Sequence, residues 1–204
     1  MMTKAFIVTK GEYDHEILKA LLPATTSENV EFIAGTWRSS AISIARSILV
    51  AKYIPVALVL DTDTTDSSAI REDRDYLQMA LAEASFGVKY AVFQAVPEIE
   101  ILFLEDWDFV GRQIGKKKEE FTHFELEYAQ LQPKKFLFSQ LEDIPYPQAL
   151  TQLLARMDRQ TIERIQQNPL VRDLNNFLLS VIEKSPERSH PAGQPAVALP
   201  SVTA

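Results

Sequence analysis

Two aspartates that directly follow an apolar run near residue 60 are the residues most able to do chemistry. Residues 56–60 (VALVL) are typical of a buried β-strand, and Asp61 and Asp63 come next, with Asp66 close behind. In a parallel α/β sheet this position is the carboxyl edge, where such folds bind ligands. Carboxylates this close repel one another unless a cation or proton compensates them, and Mg²⁺ and Mn²⁺ prefer oxygen ligands. The pattern therefore predicts a magnesium or manganese site with Asp61 and Asp63 as ligands.

The same aspartates also have a structural interpretation. An aspartate after a strand commonly forms a turn or caps the next helix, and this applies to Asp61, Asp63 and Asp66 alike. The three residues alone leave both interpretations open.

Further acidic residues are predicted to reach the same edge of the sheet. Glu12 and Asp14 follow the first predicted strand, and Glu98 and Glu100 follow the fourth. We predict that Glu12 and Asp14 are catalytic and that Glu100 is a third metal ligand. Because these carboxylates also begin predicted helices, favourable interaction with the helix dipole is the alternative explanation.

A phosphate contact is also predicted at this edge. Arg38 and Ser39 stand at the start of the second predicted helix, where free backbone N–H groups can hold an anion. A serine cap beside a solvated arginine is the alternative. Gly11 and Gly35 end the first two strands, where a backbone can approach a ligand closely. Trp37 is expected to pack over the sheet edge rather than to stack on a base.

The elements that position these residues alternate between strand and helix signals. Strands are predicted over 4–9, 30–34, 56–60 and 90–96, and helices over 13–22, 39–52, 67–84 and 98–109. This alternation predicts an α/β fold with a mainly parallel four-stranded sheet flanked by helices. Helices are also predicted over 121–131, 133–141, 146–167 and 170–184. We predict an α/β core over 1–110, a helical C-terminal extension packed on it over 111–184, and a disordered tail over 185–204.

Composition limits the classes of function. The 204 residues include no cysteine, which excludes disulfides, thiolate catalysis and cysteine metal sites. The apolar start is too short for a signal peptide and no run approaches the ~20 residues of a membrane span, so we expect a cytoplasmic location without membrane contact. The net charge is −7, and the basic stretch 112–118 is followed by Glu119 and Glu120. Nucleic acid would therefore be reached through a partner protein.

The order of these motifs resembles that of the TOPRIM fold of topoisomerases, bacterial primases, recombination-mediator proteins and overcoming-lysogenization-defect (OLD) nucleases. TOPRIM domains have a Glu-Gly pair after the first strand and Asp-x-Asp after the third, and residues 10–14 (KGEYD) and 61–63 (DTD) occupy these places. Residues 96–106 (VPEIEILFLED) resemble a helix of small stand-alone TOPRIM-like proteins of unassigned role. The resemblance extends over about residues 4–180 and implies a TOPRIM-like fold with metal-dependent chemistry on nucleic acid.

One residue departs from the TOPRIM pattern. Lys10 stands where the family has a glutamate that is thought to act as a general acid/base or metal ligand. Either Glu12 takes this role from two residues further on, or Lys10 neutralises Asp61 and Asp63. The first alternative implies a metal-dependent nuclease acting on DNA or RNA. The second implies a non-catalytic interaction subunit working with an ATPase or another nucleic-acid enzyme, and a small-molecule phosphate binder using Arg38 is a third alternative.

Overall fold

A computed structural model describes residues 3–139 and 144–183, and it confirms the predicted α/β fold. Four parallel strands form one sheet in the order β2-β1-β3-β4. The strands are β1 (Ala5–Thr9), β2 (Val30–Ala34), β3 (Val56–Asp61) and β4 (Tyr90–Ala95). The central strands β1 and β3 are buried almost throughout, which explains why their sequences are continuous apolar runs.

Helices cover both faces of the sheet. On one face lie α3 (Arg38–Lys52) and α4 (Ser67–Ser85), packed on Phe6, Val8 and Leu58. On the other face lie α1 (Glu12–Leu21) and α10 (Pro169–Ile182), packed on Ile7 and Val59. Successive strand residues point to opposite faces, so each buried strand contributes to two separate hydrophobic clusters. The face that holds Ile7 and Val59 is thus covered in part by α10, which is more than 70 residues away from the last strand in sequence.

The remaining helices lie mostly after the sheet. They are α2 (Ala24–Ser27), α5 (Trp107–Ile114), α6 (His123–Leu131), α7 (Pro133–Phe138), α8 (Tyr146–Ala155) and α9 (Arg159–Ile165), with 3₁₀ helices at Ile99–Glu105 and Lys118–Glu120. None of the helices in the described ranges is long and apolar enough to cross a membrane. The division of the chain near residue 110 stays a prediction, and the predicted tail over 185–204 lies outside the described residues.

The single helix predicted over 98–109 is wrong. The chain forms a 3₁₀ helix and then α5, with the break at Asp106. The buried Asp106 carboxylate accepts a hydrogen bond from the Phe109 backbone N–H (3.0 Å), and Thr161 and Arg164 of α9 donate to it as well (both 2.9 Å). An aspartate that caps a new helix in this way ends the preceding one, because its backbone leaves the helical conformation.

The single helix predicted over 146–167 is also wrong, for the same reason. It is divided into α8 and α9, and Asp158 caps α9 by accepting a hydrogen bond from the Thr161 backbone N–H at 2.8 Å. The helix predicted over 133–141 ends at Phe138, and residues 140–143 are not among those described.

Candidate functional site

The carboxyl ends of β1, β3 and β4 meet at one edge of the sheet, as the sequence predicts. Asp61, the last residue of β3, pairs in register with Ala95, the last residue of β4. The segments that follow these two strands are joined by hydrogen bonds. The Pro97 carbonyl accepts them from the backbone N–H groups of Thr62 (3.0 Å) and Asp63 (2.9 Å). The Asp-x-Asp segment is thus anchored to the loop that carries Glu98 and Glu100.

Asp61 lies at the centre of this edge and is the most perturbed carboxyl group there. Its Oδ1 atom accepts a hydrogen bond from the Ile99 backbone N–H at 2.9 Å. Burial raises the pKa of Asp61 to about 8, with further contributions from the Asp14 and Glu100 carboxylates that the Lys10 ammonium partly offsets. Near neutral pH the Asp61 carboxyl group therefore retains its proton in a large fraction of molecules.

Asp63 is more exposed than Asp61 and pairs with Lys10. The Lys10 Nζ atom lies 3.4 Å from each carboxylate oxygen of Asp63, and 63% of the Asp63 side chain is exposed. The Asp63 backbone is left-handed, with φ of +54°, a conformation that aspartate tolerates better than most residues. The Lys10 ammonium thus pairs with one of the two aspartates of the Asp-x-Asp segment.

Asp14 reaches the acidic edge, whereas Glu12 does not. Asp14 Oδ2 accepts a hydrogen bond from the Gly11 backbone N–H at 3.1 Å, at the start of α1. Burial raises the pKa of Asp14, the Gly11 hydrogen bond lowers it again in part, and the Glu100 carboxylate raises it further. Glu12 is exposed, and it makes no hydrogen bond or ion pair with the other acidic groups in the described residues. Its predicted catalytic role stays a prediction.

Glu100 is the most deeply buried acidic residue of this edge, with 3% of its surface exposed. The Tyr146 hydroxyl donates a hydrogen bond to its carboxylate, and the Lys134 Nζ atom lies 3.5 Å from the same oxygen. Lys134 Nζ also lies 3.6 Å from the centre of the Tyr146 ring. Burial raises the pKa of Tyr146, and the Glu100 charge raises it further, so the hydroxyl stays protonated and remains a donor.

Glu98 anchors the start of α7. Its Oε1 atom accepts a hydrogen bond from the Lys134 backbone N–H at 2.9 Å. Burial raises the pKa of Glu98, and this hydrogen bond lowers it again in part. Lys134 and Tyr146 are the residues of this edge that sequence reasoning missed, because they lie in the helical region and no local pattern links them to the strand ends.

Arg38 is close to the acidic edge, but its guanidinium group is already engaged by the protein. It donates a hydrogen bond to the Asp61 backbone carbonyl at 2.7 Å and forms an ion pair with Asp73. Ser39 is exposed. The expectation that Trp37 packs over the edge is wrong, since 71% of its surface is exposed. A phosphate contact by Arg38 and Ser39 stays a prediction.

Gly35 is required at this edge for close backbone packing within the protein. A Cβ atom added to Gly35 would lie 2.6 Å from the Ala41 backbone nitrogen, so the residue lets α3 approach the end of β2. A Cβ atom added to Gly11 would lie 3.9 Å from the Asp14 Oδ2, which leaves room for a side chain. Asp66 is a helix cap, as its structural interpretation expects, and accepts hydrogen bonds from the Ser68 and Ala69 backbone N–H groups.

The fit of a divalent cation to this edge can be judged from its oxygen donors. Carboxylates suit Mg²⁺ and Mn²⁺ chemically. The carboxylates of this edge do not fit a cation in their present arrangement, because protein groups already occupy them. Asp63 is paired with Lys10, and Glu100 is held by Tyr146 and Lys134. Within residues 3–139 and 144–183, no group of three or more histidine, aspartate or glutamate side chains is arranged to hold a metal ion.

Comparisons with known proteins return no relative of this chain. No family model matches it, and no curated protein or solved structure is significantly similar to it. The structure establishes the α/β fold, with four parallel strands in the order β2-β1-β3-β4.

Proposed function

We propose that this chain is a non-catalytic, TOPRIM-like interaction subunit in which lysine side chains take the place of a metal ion. The observation that carries the proposal is the contact between the Lys10 ammonium and both carboxylate oxygens of Asp63, at 3.4 Å. Lys10 occupies the motif position where TOPRIM domains have a glutamate. A cation and an ammonium group compensate the same negative charge, so one can replace the other electrostatically.

Lys134 supports the proposal from the other side of the acidic edge. Its ammonium group is 3.5 Å from Glu100, and its backbone N–H group holds Glu98. Together with the Tyr146 hydroxyl, these donors satisfy the buried Glu100 carboxylate and the half-buried Glu98 carboxylate, which would otherwise lack these partners. The acidic edge then stabilises the packing of the C-terminal helices on the sheet, and the subunit acts through a partner such as an ATPase or a nucleic-acid enzyme.

The second candidate is a Mg²⁺- or Mn²⁺-dependent nuclease, and a different observation favours it. Burial raises the pKa of Asp61 to about 8, and the nearby Asp14 and Glu100 carboxylates contribute to the increase because they repel a charged Asp61. A divalent cation at this edge would relieve that repulsion. In that case Asp61, Asp63 and Glu100 would bind the cation, and Glu12 and Asp14 would be the catalytic residues. The Lys10–Asp63 ion pair and the contacts of Glu100 with Tyr146 and Lys134 would first have to open.

Calorimetric titration with Mg²⁺ and Mn²⁺ separates the two candidates. For the non-catalytic subunit we expect no binding to the wild type, and binding that appears in Lys10→Glu, which supplies the family's carboxylate. Binding to the wild type that disappears in Asp61→Ala/Asp63→Ala contradicts the proposal. That result supports the second candidate, and cleavage of DNA and RNA should then be assayed on the same two proteins.

A further inference from the structure

Strand β4 lies at one edge of the sheet and is paired on one side only. Its Ala95 carbonyl and the Lys89 carbonyl just before it accept hydrogen bonds from the β3 side, at 2.9 and 3.2 Å. In a parallel pair, residues bonded to the neighbouring strand alternate with residues whose backbone groups face outwards. The outward-facing residues of β4 are Tyr90, Val92 and Gln94. Among residues 3–139 and 144–183, none bonds to the backbone N–H or carbonyl groups of these three.

A groove of about 580 Å³ leaves this β4 edge accessible. Its walls are Gln78 and Ser85 of α4 on one side and Phe177 and Ser180 of α10 on the other, with residues 87–90 between them. Because α4 and α10 cover opposite faces of the sheet, a groove that contacts both opens where the sheet ends. The first four residues of β4 are accordingly only partly buried, whereas β1 is buried throughout.

The β4 edge also lacks the features that protect edge strands from pairing. Its sequence, YAVFQA, has no charged residue and no proline, and its register with β3 is continuous, without a bulge. Charged side chains, prolines and bulges are the usual means by which proteins keep an edge strand unpaired. At the opposite edge, β2 carries the exposed Glu31. The unbonded donors and acceptors of β4 therefore specify the chemistry of what binds there, which is another extended strand.

We propose that β4 pairs antiparallel with β4 of a second copy of the chain, about a two-fold axis at Val92. The two sheets then form one continuous sheet of eight strands. This pairing sets Val92 opposite Val92 and Tyr90 opposite Gln94 of the other copy, so every outward-facing residue meets an outward-facing residue. Each such pair exchanges two backbone hydrogen bonds, which gives six in all. The proposal does not depend on whether the acidic edge binds a cation.

The side chains of β4 fit a second copy better than an arbitrary strand. On the face that α10 covers, Phe93 stands opposite Ala91 of the other copy, so a large side chain meets a small one. On the α4 face, Val92 meets its own counterpart, and the Tyr90 ring lies beside the Gln94 amide. Aromatic and β-branched pairs of this kind stabilise antiparallel strands. A two-fold interface requires a single patch to be self-complementary in this way.

Two charged side chains near the β4 edge are separated from their own counterparts in this arrangement. Lys89 is three positions from the axis, so the two Lys89 residues are on the order of 20 Å apart along the strands. Arg74 of α4 donates to the Gln94 side chain at 2.9 Å, and the Gln78 carbonyl accepts a hydrogen bond from the Tyr90 hydroxyl at 3.4 Å. Since Gln94 faces Tyr90 across the axis, Arg74 comes level with Gln78 of the other copy rather than with a second arginine.

Sedimentation velocity of the full chain over a range of concentrations tests the proposal. A typical interface has about 10 hydrogen bonds, so six indicate a dimer that dissociates on dilution. Val92→Pro removes the central N–H donor from each copy and should weaken the dimer by a factor of about 10 or more. Proline is tolerated at an edge position whose nitrogen faces outwards, so the pairing with β3 is kept.

The matched control is Val92→Thr, which keeps the N–H donor and a β-branched side chain and should dimerise nearly as well as the wild type. A wild type that stays monomeric at all concentrations overturns the proposal and leaves the edge to a strand of another protein. Equal dimerisation of folded Val92→Pro and Val92→Thr overturns it as well.

Hydrogen exchange of the wild type, followed by NMR, locates the interface even if Val92→Pro does not fold. The Tyr90 and Val92 amides should exchange fast in the dilute monomer and about tenfold more slowly where the dimer predominates. The Ala91 and Phe93 amides face β3 and should be protected throughout. A dimer that leaves the Val92 amide unprotected overturns the proposal. Protection of that amide that is independent of concentration also overturns it, because another part of the chain would then cover the edge.

Discussion

The Tyr146 hydroxyl donates a hydrogen bond to the buried carboxylate of Glu100 and so joins the first turn of α8 to the 3₁₀ helix that follows β4. The ring of the same tyrosine packs edge-on against Tyr13 of α1, with centroids 5.2 Å apart, and against Phe138 of α7. One side chain therefore connects the acidic edge of the sheet to three helices.

Tyr146→Phe should destabilise the fold while leaving the packing of the ring unchanged. Glu100 would keep Lys134 but lose its hydroxyl donor, and an unsatisfied buried acceptor costs about 1–3 kcal/mol. Urea unfolding measures the free energy of unfolding. Tyr13→Phe is the control and should have little effect, because the Tyr13 hydroxyl makes no hydrogen bond within residues 3–139 and 144–183. Equal stability of both variants would contradict a role for the Tyr146 hydrogen bond.

The free energy of unfolding should fall as the pH rises from about 4 to about 8. The pKa of Asp61 is about 8 in the folded chain and about 3.9 in an unfolded one, so the folded state holds the extra proton across this window. Asp14 and Glu98, whose pKa values are also raised, act in the same direction. Asp66, Asp106, Glu125 and Asp158 have lowered pKa values and act in the opposite direction, but they add stability only as the pH rises to about 4, the usual pKa of a carboxyl group.

Asp61→Asn tests this pH dependence. The amide keeps an oxygen acceptor for the Ile99 N–H group and removes the titrating proton, so the decline, on the order of a few kcal/mol, should become shallower. Urea unfolding at several pH values measures it. Asp63→Asn changes an exposed carboxylate and is the matched control. A slope that is equally steep in Asp61→Asn and the wild type would show that Asp61 is not its source.

Lys10→Met should raise the pKa of Asp61 further and have little effect on stability. The Lys10 ammonium lowers the pKa values of Asp61 and Asp14, so its loss moves both titrations to higher pH. The Lys10–Asp63 pair is exposed, and such pairs contribute at most about 1 kcal/mol. Carboxyl-carbon NMR shifts recorded against pH measure the change. Lys118→Met is the control, and an Asp61 titration that moves equally in both variants would contradict the local effect.

Gly35→Ala should destabilise the fold because the new methyl group meets backbone rather than a movable side chain. The nearest atom would be the Ala41 nitrogen at 2.6 Å, and relieving such a contact shifts α3 at a cost of about 1–3 kcal/mol. Thermal unfolding followed by circular dichroism measures the change. Gly11→Ala should be nearly neutral, because its methyl group would lie 3.9 Å from the Asp14 Oδ2 atom. Similar losses of stability in both variants would contradict the packing argument.

Local patterns were sufficient to predict the sheet and the place of the acidic motif. The apolar runs of β1 and β3 are long enough to be recognised as strands without tertiary information. The alternation of strands with helices implies that the strands are parallel. Because parallel strands share one carboxyl edge, Asp61 and Asp14 could be placed there from the sequence. The helix breaks at Asp106 and Asp158 were missed, although an aspartate followed by helix-forming residues is a known start signal.

The sequence by itself determined the α/β class, the strand positions and which acidic residues follow the strands, because these depend on periodicity within a few residues. Only the tertiary structure decided how their charges are compensated. Lys10 and Asp63 are 53 positions apart, and Tyr146 and Glu100 are 46 apart. Burial and charge–charge distances arise when separate elements pack, so the pKa of Asp61 and its neighbours could not be read from local sequence.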